Sequence, residues 1–162
     1  MKMTVEIMGM AYLEKQLNKL AGVPQKHVSA VSRKAMKPVL RQARKEAPRS
    51  TGALKKGMKL LGERNRSRGK KVFQVRFAKE MNGTFQTKKR KNGKKTGETV
   101  GYYPVSQEYG WQIELKDGRV RIVPGQMFIH NAFNDEIPQI ERTIVSEMSK
   151  RIDKEIAIRG LR

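Results

Sequence analysis

Residues 47–58 read Ala47-Pro48-Arg49-Ser50-Thr51-Gly52-Ala53-Leu54-Lys55-Lys56-Gly57-Met58, a helix stop followed by a new start. Pro48 has no backbone N–H to donate and biases Ala47 away from helical backbone. Ser50 or Thr51 can cap a second short helix that carries Ala53, Leu54 and Met58. None of these side chains is a strong nucleophile, a metal ligand or a base. The segment steers the chain; it does not carry chemistry.

Upstream, Met3, Val5 and Ile7 alternate with Thr4 and Glu6, a strand pattern over 3–8 that Gly9 ends. Met10, Leu13, Leu17 and Leu20 recur at helical spacing, which predicts a short amphipathic helix over 10–20 closed by Gly22. Pro24 suits the first turn of the next helix. There Val28, Val31, Ala35, Val39 and Ala43 form one apolar stripe down to Ala47, and Lys and Arg cover much of the remainder. Pro38 removes one hydrogen bond inside it, which favours one kinked helix over two helices broken near Lys37.

Downstream, residues 59–71 lose periodicity. Val72, Phe73, Val75 and Phe77 then read as a strand. Residues 79–98 read as a long hairpin tip or partly disordered loop, a basic insertion in which Lys88, Lys89, Arg90, Lys91, Lys94 and Lys95 crowd together. Strand character returns over 99–107. Ile113 and Leu115 alternate with Glu114, Asp117-Gly118 is a hairpin signal, and Val120, Ile122 and Val123 form the return strand. After the Pro124-Gly125 turn, Phe128, Ile129 and Phe133 lead into a last helix with Asn134 or Asp135 as its cap. Ile137, Ile140, Ile144, Met148, Ile152 and Ile156 stripe that helix, and this long stripe serves either core packing or a neighbouring subunit. The expected fold is α+β: a single domain over residues 1–162, with a small antiparallel sheet packed against N-terminal helices and a long C-terminal helix.

Composition narrows the function. The 162-residue chain has no cysteine, which excludes disulfides, thiol nucleophiles and Cys-based zinc sites. No apolar run approaches the ~18–20 residues of a membrane span, and Met1-Lys2-Met3-Thr4 does not open a signal peptide. The net charge is +21. Residues 134–162 balance six acids against six bases, while residues 1–133 hold 30 bases and nine acids, so the whole excess precedes the last helix. Such a field favours anionic partners: nucleic acid, acidic protein or anionic lipid.

Tests for chemistry fail. Asn92-Gly93-Lys94-Lys95-Thr96 hints at a phosphate loop, but Lys88 stands where the motif needs glycine and Lys95 where it needs Ser or Thr. His27 and His130 have no acidic neighbour at ligand spacing, so they read as structural and no metal or cofactor is expected. Glu108, Glu114 and Asp117 read as solvated charges on a hairpin, and Ser50 and Thr51 have no histidine nearby. The chain does not read as an enzyme. Lys88, Lys89, Arg90, Lys91, Lys94 and Lys95 can meet DNA phosphates or an acidic partner, without sequence preference. Tyr109 and Trp111 flank Gly110 at a corner beside Glu108 and offer large contact area. Met127 and Phe128 are further anchors. These six residues are the candidate oligomer or partner interface.

Three segments together carry a resemblance. Residues 47–54 resemble the pattern A-P-x-x-T-G-x-L. Tyr103-Pro104-Val105-Ser106-Gln107-Glu108-Tyr109-Gly110 is similar to Y-x-x-x-V-E-F-G. Pro124-Gly125-Gln126-Met127-Phe128-Ile129-His130-Asn131-Ala132-Phe133 is similar to P-A-R-P-F-L-R-P-A-L. These patterns belong to the tail-component or tail-completion (neck) proteins of long-tailed phages, a family that includes relatives of the minor tail protein Z of lambda. The chain departs from it at Gly57, Trp111 and Met127, where the family often has Ser, Thr and Pro. The resemblance implies a non-enzymatic virion protein of the head–tail connector, made in the host cytoplasm and joining tail to head as a homo-oligomeric ring of six- or twelve-fold symmetry. Its implied neighbours are the portal-side adaptor or stopper, the tail terminator or tail tube, and the channel DNA. The competing expectation is a basic accessory protein that binds the DNA backbone without sequence specificity.

Overall fold

The computed structural model describes Asn18 and residues 21–64, 71–92 and 94–159. The strand expected over 3–8 and the helix over 10–20 lie outside the described residues, Asn18 excepted. Helix α1 (Val23–Glu46) runs unbroken through Pro38. Its buried positions Val31, Ala35, Val39 and Ala43 recur every four residues and continue to Ala47. This narrow stripe of small side chains lets a second helix lie close. After the Pro48 break, Gly52 takes left-handed backbone (φ +69°), and α2 (Ala53–Gly57) buries Ala53 and Leu54. The Thr51 hydroxyl accepts the Ala53 N–H at 3.3 Å. Met58, expected on this helix, instead opens strand β1 (Met58–Gly62).

Among the described residues the strands pair as three antiparallel two-stranded ribbons. β1 pairs with β2 (Phe73–Phe77), Met58 opposite Phe77. A 3-10 turn (Lys79–Met81) and a short helix α3 (Asn82–Phe85) follow. The basic stretch is then ordered as a ribbon of β3 (Gln86–Lys91) and β4 (Lys94–Tyr102), with irregular register around Lys88. Residues 103–107, expected as strand, belong to helix α4 (Tyr103–Tyr109). Pro104 fits a first helical turn, and Pro104 and Glu108, four residues apart, are both buried, so one helical face meets the core. β5 (Gly110–Glu114) and β6 (Val120–Pro124) make the third ribbon around Asp117-Gly118, with Gly118 at φ +79°.

Helix α5 (Phe128–Ile158) starts at Phe128, ahead of the expected cap at Asn134 or Asp135. Burial of Phe128 and Ala132, four residues apart, extends the helix toward the core. The centre of the core joins Ala43, Leu54, Met58, Phe85, Phe128 and Ala132. Phe85 meets Phe77 and Tyr102 edge-on, with ring centroids 5.4 and 6.0 Å away.

Helices α1 and α5 pack along each other. Polar groups close the outer end of their seam. Lys34 Nζ lies 2.9 Å from Glu147, Lys26 Nζ 2.6 Å from Glu155 Oε1, and His27 Nε2 3.2 Å from the same oxygen. His27 thus has an acidic partner, reached across the fold and invisible in sequence spacing. Hydrogen bonding to Lys26 and then His27 depresses the Glu155 carboxyl from the ordinary 4.5 to about 2. A depressed carboxyl stabilises the fold fully above its unfolded value, and that contribution fades as pH falls from about 4.5 toward about 2. Wild type should therefore melt above Glu155→Gln at neutral pH, and its advantage should shrink steadily below that upper value. An advantage independent of pH in paired thermal melts would show that the seam does not depend on this charge.

Candidate functional site

The β5–β6 ribbon exposes several large apolar side chains. Alternation along each strand puts Trp111 and Ile113 on one face, opposite Val123 and Arg121, and Val120 and Ile122 on the other, opposite Glu114 and Gln112. Trp111 is 40% exposed and Ile122 71% exposed. A two-stranded hairpin is marginal in water without a packed face, and this one displays apolar side chains on both faces.

Its root is rigid. Gly110 (φ +90°) ends α4, and Gly110 pairs with Pro124. The Gln126 N–H donates to the Gln107 carbonyl at 2.9 Å and the Met127 N–H to the Glu108 carbonyl at 3.0 Å. The two backbones approach so closely that only glycine fits. A Cβ on Gly125 would stand 2.2 Å from the Glu108 carbonyl oxygen, and one on Gly110 2.3 Å from that of Val123.

Glu108 corrects its expected role as a solvated charge on a hairpin. It is 5% exposed and its carboxylate turns inward. Oε2 accepts the Ile129 N–H at 3.0 Å and Oε1 the His130 N–H at 2.9 Å. These are orphan donors at the first turn of α5, and a negative charge there also meets the positive end of the helix dipole. Met127 supplies no side-chain cap and sits in left-handed backbone at φ +51°. Helix α5 is therefore capped by a residue of α4, which explains its early start.

The six corner residues thus gather at one junction with unequal exposure. Tyr109 and Trp111 face outward, Met127 is half-buried, and Phe128 (1% exposed) is a core anchor. Beside Tyr109 opens an apolar cleft of about 360 Å³ between α1, β2, α4 and α5, walled by Met36, Phe73, Val75, Val105 and Phe133. The sequence reading missed this cleft because its walls come from four distant elements.

The six basic residues lie on the β3–β4 ribbon, apart from that corner. Arg90 stands opposite Lys95 and Lys91 opposite Lys94, which places like charges face to face. The single acid of this ribbon, Glu98, pairs with Lys89 at 3.1 Å. Among the described residues no cluster of His, Asp or Glu could hold a metal ion, and no helix is long and apolar enough to cross a membrane.

Residues 11–110 match the family model described as "Bacteriophage HK97-gp10, putative tail-component". The chain belongs to this HK97-gp10-like family. The match covers more than half of the chain and contains the 47–54 and 103–110 segments, while the 124–133 segment lies beyond it. No curated protein and no solved structure gives a significant match. Membership of a phage tail-component family gives the chain a structural, tail-related role. It also implies a place in the virion and contact with other phage tail or neck proteins.

Proposed function

We propose that this tail component is a subunit of the head–tail connector, a neck or tail-completion protein that assembles as a six- or twelve-fold ring and joins tail to head without catalysing a reaction. The observation that carries this reading is the β5–β6 ribbon, apolar on both faces and rigidly held at its root. Exposed Trp and Tyr on such a platform are interface anchors. In this reading Tyr109, Gly110 and Trp111 face a neighbouring subunit, while Glu108 and Phe128 act from beneath by fixing the corner, and Met127 sits at its edge. The Lys88–Lys95 ribbon reaches an acidic neighbour (adaptor, stopper, terminator or tube protein) or channel DNA, which relieves its face-to-face charges.

The test combines light scattering on the free chain with reconstruction of the intact connector. Wild type should form a closed oligomer, and Trp111→Ser with Ile122→Ser should shift it to monomer with unchanged circular dichroism. A connector in which the 108–111 corner faces open solvent, or virions that lack the protein, would overturn the reading.

A further inference from the structure

A second charged surface lies on α1, away from the basic ribbon that the sequence singled out. Two concavities of about 550 and 350 Å³ lie side by side along α1 with Lys37, Leu40 and Arg44 between them, and together they make up the α1 groove. Helix α1 lines it with Arg33, Lys37, Arg41, Arg44 and Lys45. Arg49 faces them from the turn leading into α2, Lys55 from α2 itself, and Lys59 from β1. Among the described residues no Asp or Glu lines either part. Only Lys59 has an acidic partner among the described residues, Glu80 at 3.4 Å. Arg44 is held by a hydrogen bond to the Met58 carbonyl, and its buried Nε has no partner.

We infer that this α1 groove binds the sugar-phosphate backbone of duplex DNA. Three features favour phosphates over an acidic protein. The cations follow a line: from Arg33 to Lys45 the helix rises about 18 Å at 1.5 Å per residue, a length over which a duplex presents about ten phosphates. Half of the groove's cations are arginines, whose planar forks fit phosphate oxygens. Among the described residues the groove also lacks an aromatic anchor of the kind that centres protein interfaces. Those anchors sit on the β5–β6 ribbon, so the two surfaces differ in chemistry as well as place. The contact is independent of sequence and of the ring reading above.

The test is fluorescence anisotropy of a labelled duplex of about 20 base pairs, titrated with the full chain between about 50 and about 200 mM salt. Three triple variants remove equal charge: Arg41, Lys45 and Arg49 to Ser in the groove; Arg90, Lys91 and Lys94 to Ser on the ribbon; Arg142, Lys150 and Lys154 to Ser on α5. All nine residues are exposed, and Lys150 makes just a long 3.9 Å surface contact to Glu147, so their circular dichroism should match wild type. The groove variant is expected to bind at least about tenfold more weakly and to lose about 2–3 from its salt slope, at about 0.9 per phosphate contact. The α5 variant should stay within about twofold of wild type. Equal loss in groove and α5 variants, or no binding by wild type, would overturn the inference. So would displacement of the duplex by polyglutamate at equal charge, since the groove would then read any acidic chain. Loss confined to the ribbon variant would also overturn it, while leaving the proposed ribbon contact standing.

Discussion

Replacing Glu108 with alanine is expected to destabilise the fold by about 3 kcal/mol and to fray the first turn of α5. Two backbone donors, the N–H groups of half-buried Ile129 and exposed His130, lose their buried acceptor together. An unsatisfied buried donor costs about 1–3 kcal/mol, and hydrogen bonds to a charged group are worth more than neutral ones. Loss of the favourable helix-dipole contact adds a smaller amount. In a protein of this size the total corresponds to a melting point lower by about 6–12 °C. Hydrogen exchange gives the local readout: protection should drop at Ile129 and His130 first. Glu108→Gln should fall between, because its carboxamide oxygen can accept one donor while its NH2 faces the other. If Glu108→Ala melts within about 2 °C of wild type, water caps the helix as well as the carboxylate does.

That prediction rests on a contact no local pattern could reveal. The helix break over 47–58, the α1 stripe, the strand over 73–77 and the Asp117-Gly118 ribbon were legible because each depends on neighbours a few residues away. Helix α4 was not. Tyr103-Pro104-Val105 reads as extended chain, and only burial of Pro104 with Glu108 settles the helical period. The start of α5 was misplaced for a related reason. Asn134 and Asp135 are good local caps, but the acceptor in use lies 21 residues upstream of Ile129. The basic stretch reads as a long hairpin tip or a partly disordered loop, because lysines carry weak strand preference; backbone pairing orders it as a hairpin despite its charge.

Of the candidate site, sequence placed the outward aromatics Tyr109 and Trp111 at the corner, but could not separate them from Glu108 and Phe128, which act from inside. The apolar cleft beside Tyr109 and the α1 groove were hidden for a different reason. Each is a concavity, and concavity is a property of several elements at once. The helical period showed that Arg and Lys cover much of α1 outside its apolar stripe. It could not show that Arg49, Lys55 and Lys59 close over them from the other side.

The largest effect of a single methyl group is expected at Gly125. Its Cβ would stand 2.2 Å from the Glu108 carbonyl oxygen, 2.4 Å from the Tyr109 carbonyl carbon and 2.5 Å from the Gly110 nitrogen. All three are backbone atoms, so no rotamer change relieves the collision. The chain must separate where Gly110 pairs with Pro124, which breaks the Met127 N–H to Glu108 bond and pulls the Glu108 carboxylate away from α5. Loss of the ribbon root and of the helix cap together should exceed about 4 kcal/mol, a range reached by few substitutions. Gly125→Ala should therefore appear as a low soluble yield, or as a protein whose sole tryptophan, Trp111, reports altered surroundings by fluorescence. Two other glycines calibrate the result. A Cβ at Gly118 meets nothing within 4 Å, so Gly118→Ala should cost only the left-handed backbone strain of about 1–2 kcal/mol. Gly83 in α3 also has open space and no positive φ, so Gly83→Ala should be neutral or slightly stabilising. The expected order of melting points is Gly83→Ala above Gly118→Ala above Gly125→Ala. If Gly125→Ala melts with Gly83→Ala, the close crossing beneath the ribbon does not exist in solution, and the rigid platform for Trp111 goes with it.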